Sequence, residues 1–199
     1  MNTTKLRIAI FASGGGSNAE AIMQHFSEHE SVEVVLVLSN KKDAGVLGRA
    51  ARHKIPSQVL SKEIYSSSDA LMQLMTDHNI DLIALAGYLK LIPAEFTRAL
   101  QKRIVNIHPG LLPRYGGKGM HGIHVHEAVL RDQAAWSGVT VHFVDDQYDR
   151  GSIIFQHAIP IDTNWSPKEL ATAVLKVEHT WFPVILDRVC EEVMGESNS

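Results

Sequence analysis

A single cysteine, Cys190, in 199 residues excludes a disulfide framework, a cysteine zinc ribbon and a CxxC redox pair. No run approaches the ~20 apolar residues of a membrane span. Residues 1–7 lead straight into an apolar strand, without the h-region or cleavage site of a secretory signal. One sign of charge is not in excess either. The formal net charge of -3 supplies no basic face for nucleic acid, so an anionic ligand must be met locally, by backbone amides or by one or two cations. Internal repeats, low-complexity segments and linkers are missing as well. With 45% hydrophobic and 21% charged residues, the chain is sized for one globular domain, 1–199, with 196–199 as a disordered tail. A reducing, cytoplasmic setting follows, with neither membrane nor nucleic acid as partner.

What is present is an alternation of short apolar strands and amphipathic helices. Residues 6–12 form a buried strand cut off by Ser13-Gly14-Gly15-Gly16-Ser17-Asn18. Ala19, Ile22, Met23 and Phe26 then recur at helical spacing. Residues 32–38 are a β-branched and leucine run interrupted only by Glu33, as in strands covered on both faces. Helix over 44–53, strand over 57–60, helix over 68–78 and strand over 81–86 follow. A short helix started by Pro93 precedes a strand at 104–107. The pattern predicts an α/β fold: an open, mostly parallel twisted sheet with helices on both faces, Rossmann-like. After Pro109 comes a glycine-rich loop to residue 122, then a short helix over 124–131. Strands over 138–144 and 152–161 are placed to pair with each other, giving the C-terminal portion an antiparallel character. A long helix carrying Leu170, Val174, Val177 and Trp181, bent at Pro183, closes the chain.

The strand–glycine turn–helix at 11–19 suits an anion. Glycines allow close backbone approach, and the first free N–H groups of a helix point at the ligand. The same letters fit the dinucleotide fingerprint as Gly14-x-Gly16-x-x-Ala19, which would make the chain an NAD-linked oxidoreductase. That reading needs an acid at the tip of the second strand to hold the ribose, whereas this strand ends Leu38-Ser39-Asn40. A terminal phosphate is therefore preferred, with the dinucleotide and a bare tight turn as the alternatives. The strand at 104–107 runs on into Asn106-Ile107-His108-Pro109, whose Asn106 and His108 leave the same face of an extended chain. They stand at the carboxyl end of a parallel strand, where open α/β sheets bind ligands. A carboxamide that can hold an oxyanion beside an imidazole that manages protons suits acyl transfer. A carboxylate from the loop 145–151, Asp149, would orient His108 and raise its pKa. A structural Asn–His pair and an ordinary turn are the alternatives.

Four blocks carry a resemblance: Leu85-Ala86-Gly87-Tyr88; Asn106-Ile107-His108-Pro109-Gly110-Leu111-Leu112-Pro113; Gly138-x-Thr140-Val141-His142-Phe143-Val144; and Asp149-x-Gly151. In this order and spacing, with the turn at 13–18, they resemble the folate-dependent formyltransferases over roughly residues 6–186. The resemblance implies transfer of the formyl group of 10-formyltetrahydrofolate, as co-substrate, to the amine of glycinamide ribonucleotide in purine synthesis. Asn106, His108 and Asp149 are the implied catalytic set, with His142 supporting. Gly16, Ser17, Asn18 and Glu178 are implied to hold the phosphoribosyl end. Leu89, Lys90, Leu91 and Ile92, with Asp145, Asp146, Gln147 and Tyr148, are implied to wall the folate pocket. No metal is implied, and either a monomer or a homodimer is compatible. A formyltransferase with another acceptor, a formyltetrahydrofolate hydrolase and a non-catalytic nucleotide-binding module are further alternatives.

Two stretches depart from the family's pattern. The segment 116–122 replaces a shorter Pro-Gly-containing loop, and near Ser68 a folate-binding arginine of some members has no counterpart. His121, His124 and His126 beside Glu127 invite a metal reading. Two of them lie at i, i+2 on a helix and diverge, so surface or substrate-loop histidines are the preferred reading.

Overall fold

The computed structural model describes residues 5–197. In chain order the elements are β1 (Leu6–Phe11), α1 (Ser17–His25), β2 (Val32–Ser39), α2 (Gly45–Arg52), β3 (Ser57–Val59), α3 (Lys62–Tyr65) and α4 (Ser68–Asp77). β4 (Leu82–Leu85), α5 (Ala94–Ala99), β5 (Ile104–His108), α6 (Ile123–Arg131), β6 (Trp136–Phe143), β7 (Ile153–Pro160) and α7 (Pro167–Ser197) complete them.

The seven strands make one sheet in the order β3-β2-β1-β4-β5-β6-β7. The first five strands are parallel to one another, while β6 runs antiparallel to β5 and β7 antiparallel to β6. Side chains alternate across β1. Ile8, Ile10 and Ala12 join a core with α1, α2, α6 and α7, whereas Ala9 and Phe11 join a second core with α4 and α5. Both faces are therefore covered, which is why β4, and β1 from Ile8 onward, read as unbroken apolar runs.

Strand order reverses between β1 and β4, so the chain leaves the carboxyl ends of these strands in opposite directions and opens a crevice there. The two exits are tied together. Ser13 N–H donates to Gly87 O at 3.0 Å, and Leu89 N–H donates to Ser13 Oγ at 2.9 Å.

Several boundaries differ from the sequence reading. Lys62–Tyr65 is an additional single helical turn. β6 begins at Trp136, where it pairs with Pro160. α7 is continuous across Pro183 and past Gly195 to Ser197. Of the expected tail, residues 198 and 199 lie outside the described residues.

Candidate active site

β5 delivers Asn106 and His108 to one face, and the antiparallel pairing with β6 sets His142 opposite Asn106 and Thr140 opposite His108. Directly opposed residues share a face, so the register makes an Asn–His pair without any loop. Asn106 Nδ2 lies 3.0 Å from His142 Nε2. The other nitrogen of His142, Nδ1, is 2.8 Å from Phe143 O. A carbonyl only accepts, so Nδ1 carries the proton and Nε2 accepts from the Asn106 amide.

Asp149 comes from the loop between β6 and β7. Its backbone is left-handed (φ 56), a conformation aspartate tolerates better than most residues. Gly151 follows, where any Cβ would lie 1.8 Å from Phe143 O, so only glycine lets this loop fold back onto the end of β6. The carboxylate bridges both imidazoles: Oδ2 is 3.6 Å from His108 Nδ1 and Oδ1 is 3.6 Å from His142 Nε2. It also accepts the Gly117 N–H at 2.9 Å. Burial pushes Asp149 upward, but His142, His108 and the Gly117 amide together hold it below the usual carboxylate range.

His108 is 3% exposed. Its Nε2 is 2.8 Å from the Tyr115 carbonyl, so Nε2 carries the proton and Nδ1 is the nitrogen left facing Asp149. The sequence reading had Asp149 raising the pKa of His108. The net shift is downward, because desolvation of the buried ring outweighs the pull of Asp149 and of the Tyr115 carbonyl.

These groups open into a cavity of about 820 Å³ that also takes in Asn18, Glu178, residues 89–92, Asp145, Gln147 and Tyr148. Asn18 Nδ2 donates to Glu178 Oε2 at 2.8 Å, joining the first turn of α1 to α7. Burial lifts Glu178 to about 7 against the opposing Asn18 bond. Asn18 Oδ1 is buried with no hydrogen-bond partner among the described residues.

The matched family model, described as formyl transferase, covers residues 6–186. The chain belongs to the formyl transferase family. Among curated relatives, it is similar to the chloroplastic phosphoribosylglycinamide formyltransferase of Arabidopsis thaliana, 44% identical over 94% of this chain and 66% of the relative. It is also similar to the phosphoribosylglycinamide formyltransferase of Bacillus subtilis, 35% identical over 96% of both. The chain thus spans about two thirds of the plant relative, and only 19% of a trifunctional purine biosynthetic protein of Gallus gallus. Among solved structures, that of phosphoribosylglycinamide formyltransferase from Anaplasma phagocytophilum superposes with a TM-score of 0.86 at 30% identity, covering 95% of this chain and 89% of that one. The enzyme from Bacillus halodurans superposes with a TM-score of 0.82 at 38% identity, covering 92% and 94%.

In this formyl transferase fold the expected site residues fall into three groups. Asn106, His108, His142 and Asp149 meet directly. Asn18, Glu178, Leu89, Lys90, Leu91, Ile92, Asp145, Gln147 and Tyr148 line the same cavity. Gly16, Ser17 and Asp146 are not among its lining. The first two lead into Asn18, while the Asp146 carboxylate pairs with Arg98 on α5 at 3.0 Å. Asn40, the residue on which the dinucleotide alternative turned, is occupied by the Ser13 hydroxyl at 2.6 Å.

Three contributors went unnoticed in the sequence. The Tyr115 carbonyl and the Gly117 amide are backbone groups of the glycine-rich loop after Pro109 and leave no side-chain signal. Thr140, quoted in a strand block of the resemblance but given no role, donates to Gly110 O at 2.7 Å and accepts from Leu112 N–H at 3.1 Å, holding that loop on β6. The histidine cluster does not converge: His121 and His124 stack edge-on at 5.7 Å, while His126 is buried on the cavity side of α6. Among the described residues, no group of three His, Cys, Asp or Glu is placed to hold a metal. Nor is any helix long and apolar enough to cross a membrane.

Proposed function

We propose that the chain transfers the formyl group of 10-formyltetrahydrofolate to the amine of glycinamide ribonucleotide, giving formylglycinamide ribonucleotide and tetrahydrofolate. The observation that carries this reading is the convergence of Asn106, His108, His142 and Asp149 on one cavity shared with Asn18 and Glu178.

The chemistry follows from these groups. The acceptor's amine nitrogen attacks the formyl carbon. A C–N bond forms and the carbonyl π electrons move to oxygen. Asn106, its carboxamide held by His142, donates to that oxyanion. His108 is anchored through Nε2–H and presents Nδ1. Burial keeps it neutral before reaction, and negative charge developing beside it favours the protonated ring. Asp149 is ionised and can take the amine's surplus proton, directly or through a water, and pass it to the facing Nδ1 of His108. When the tetrahedral centre collapses, the bond to N10 breaks and N10 receives that proton. No covalent enzyme intermediate is required.

Glu178 and Asn18 are assigned to the ribose hydroxyls, and the turn Gly16-Ser17-Asn18 to the phosphate. Residues 89–92 and the loop carrying Asp145, Gln147 and Tyr148 are assigned to the folate ring.

The test is direct. The chain is incubated with 10-formyltetrahydrofolate and glycinamide ribonucleotide while folate absorbance is followed. Turnover requiring both substrates is expected. Folate consumption without the amine would replace transfer by hydrolysis, and no consumption at all would overturn the reading.

A further inference from the structure

The turn that precedes α1 is gripped from behind by α2. Val46 N–H donates to Gly14 O at 3.2 Å, and Arg49 Nε–H donates to Gly15 O at 2.7 Å. In a trans peptide the C=O and N–H point to opposite sides. Tying these two carbonyls to α2 therefore turns the N–H groups of Gly15 and Gly16 away from it. Gly16 is left-handed (φ 74), and a Cβ there would lie 2.5 Å from Val46 Cβ. A Cβ on Gly45 would lie 3.3 Å from Gly15 Cα. The contact is backbone on backbone. Consecutive N–H groups turned out in this way form a concave anion site. At the open end of the turn, Asn18 keeps a buried Oδ1 without a hydrogen-bond partner among the described residues, an acceptor free for a hydroxyl of the same ligand.

Arg49 is itself aimed. Its Nη1 donates at 2.9 Å to Glu20 Oε2 in the first turn of α1, so one guanidinium holds both the turn and the helix that the turn starts. Glu20 also meets Arg52 at 3.2 Å and His53 at 2.8 Å, which fixes the carboxylate. The fork of a guanidinium reaches two acceptors at a set angle, and a single ammonium does not reproduce it.

We propose that Arg49 is a positioning residue for acceptor binding: by holding the Gly15 carbonyl against α2 it presents the 15–17 amides to the acceptor's phosphate. The inference rests on the formyl-transfer reading, in which that turn takes the phosphate.

The experiment compares wild type with Arg49→Lys and Arg49→Gln. Steady-state kinetics gives kcat and both KM values, and ribose 5-phosphate is titrated while the Gly15 and Gly16 amide resonances are followed. Both variants are expected to raise the acceptor KM and the ribose 5-phosphate Kd about 10-fold, with kcat and the folate KM held within about twofold. A wild-type acceptor KM in Arg49→Lys would overturn the inference, since charge alone would then suffice. So would equal rises in both KM values accompanied by a lower Tm, which would mark a purely structural role. Ribose 5-phosphate binding in wild type that the variants leave unaltered removes Arg49 alone. No shift at Gly15 or Gly16 in wild type removes the phosphate reading of the turn and the inference with it.

Discussion

Glu178→Gln should stabilise the protein at alkaline pH and leave it unchanged in acid. Glu178 is 6% exposed, and desolvation lifts its pKa from 4.5 to about 7 against the single Asn18 bond. A pKa raised in the folded state adds stability that is fully present below the unfolded value of 4.5 and is lost as pH climbs through about 7. At about 1.36 kcal/mol per unit, that interval corresponds to roughly 3 kcal/mol. Glutamine mimics the neutral acid and does not titrate, so the stability gap between variant and wild type should open by roughly 3 kcal/mol between about pH 4.5 and about pH 8. Urea unfolding of both proteins across this range measures it. Taking the difference cancels the buried histidines His108 and His126, whose lowered pKa values act in both proteins alike. A pH-independent gap would refute the reasoning. Under the proposed function the same ionisation serves binding. Ribose hydroxyls donate to a carboxylate and favour its charged form, so below about pH 7 acceptor binding should release a proton. Calorimetry in two buffers of different ionisation enthalpy detects that release.

Asn106→Ala should lower kcat ~100- to 1,000-fold, the usual cost of an oxyanion donor, with the acceptor Kd nearly unchanged; turnover and a binding titration check both. Gly16→Ala places a Cβ in a left-handed backbone and against Val46, and should cost at least about 2 kcal/mol in chemical denaturation. Thr140→Val removes the hydroxyl that satisfies Gly110 O and Leu112 N–H. It should destabilise by roughly 1–3 kcal/mol and lower kcat, because the loop it anchors supplies the Tyr115 carbonyl and the Gly117 amide; denaturation and kinetics read the two effects.

The parallel part of the sheet was legible because strands buried on both faces must be apolar throughout. Residues 34–38 and 82–86 stand out for that reason, and the order reversal at β1/β4 then puts the crevice where the glycine turn and Asn106 end. Boundaries lacking such a constraint were less visible. Lys62–Tyr65 is a single turn with no buried residue, so it shows no periodicity. β6 starts on Trp136, whose 55% exposure hides it from an alternation pattern. Gly195 looked like a stop, but α7 continues past it. At the site, side-chain letters exposed the Asn–His pair and left the central place of His142 understated, since its contact with Asn106 depends on an antiparallel register that spacing alone does not specify.

The protonation state of the site is set by groups of another kind. Asp149 attracts a proton toward His108, and reading only side chains makes the imidazole a cation. The loop 109–117 changes that outcome in two ways. It covers the ring, so that desolvation prevails, and it supplies the Tyr115 carbonyl, which claims Nε2–H and leaves Nδ1 toward the carboxylate. It also spends part of the Asp149 charge on the Gly117 amide. A neutral imidazole whose free nitrogen faces an ionised carboxylate is poised to gain a proton when negative charge appears nearby, and it carries little cost of burying a cation beforehand. The glycine-rich loop therefore contributes to the chemistry through its backbone, and changes that move it should alter kcat even where every named side chain is intact.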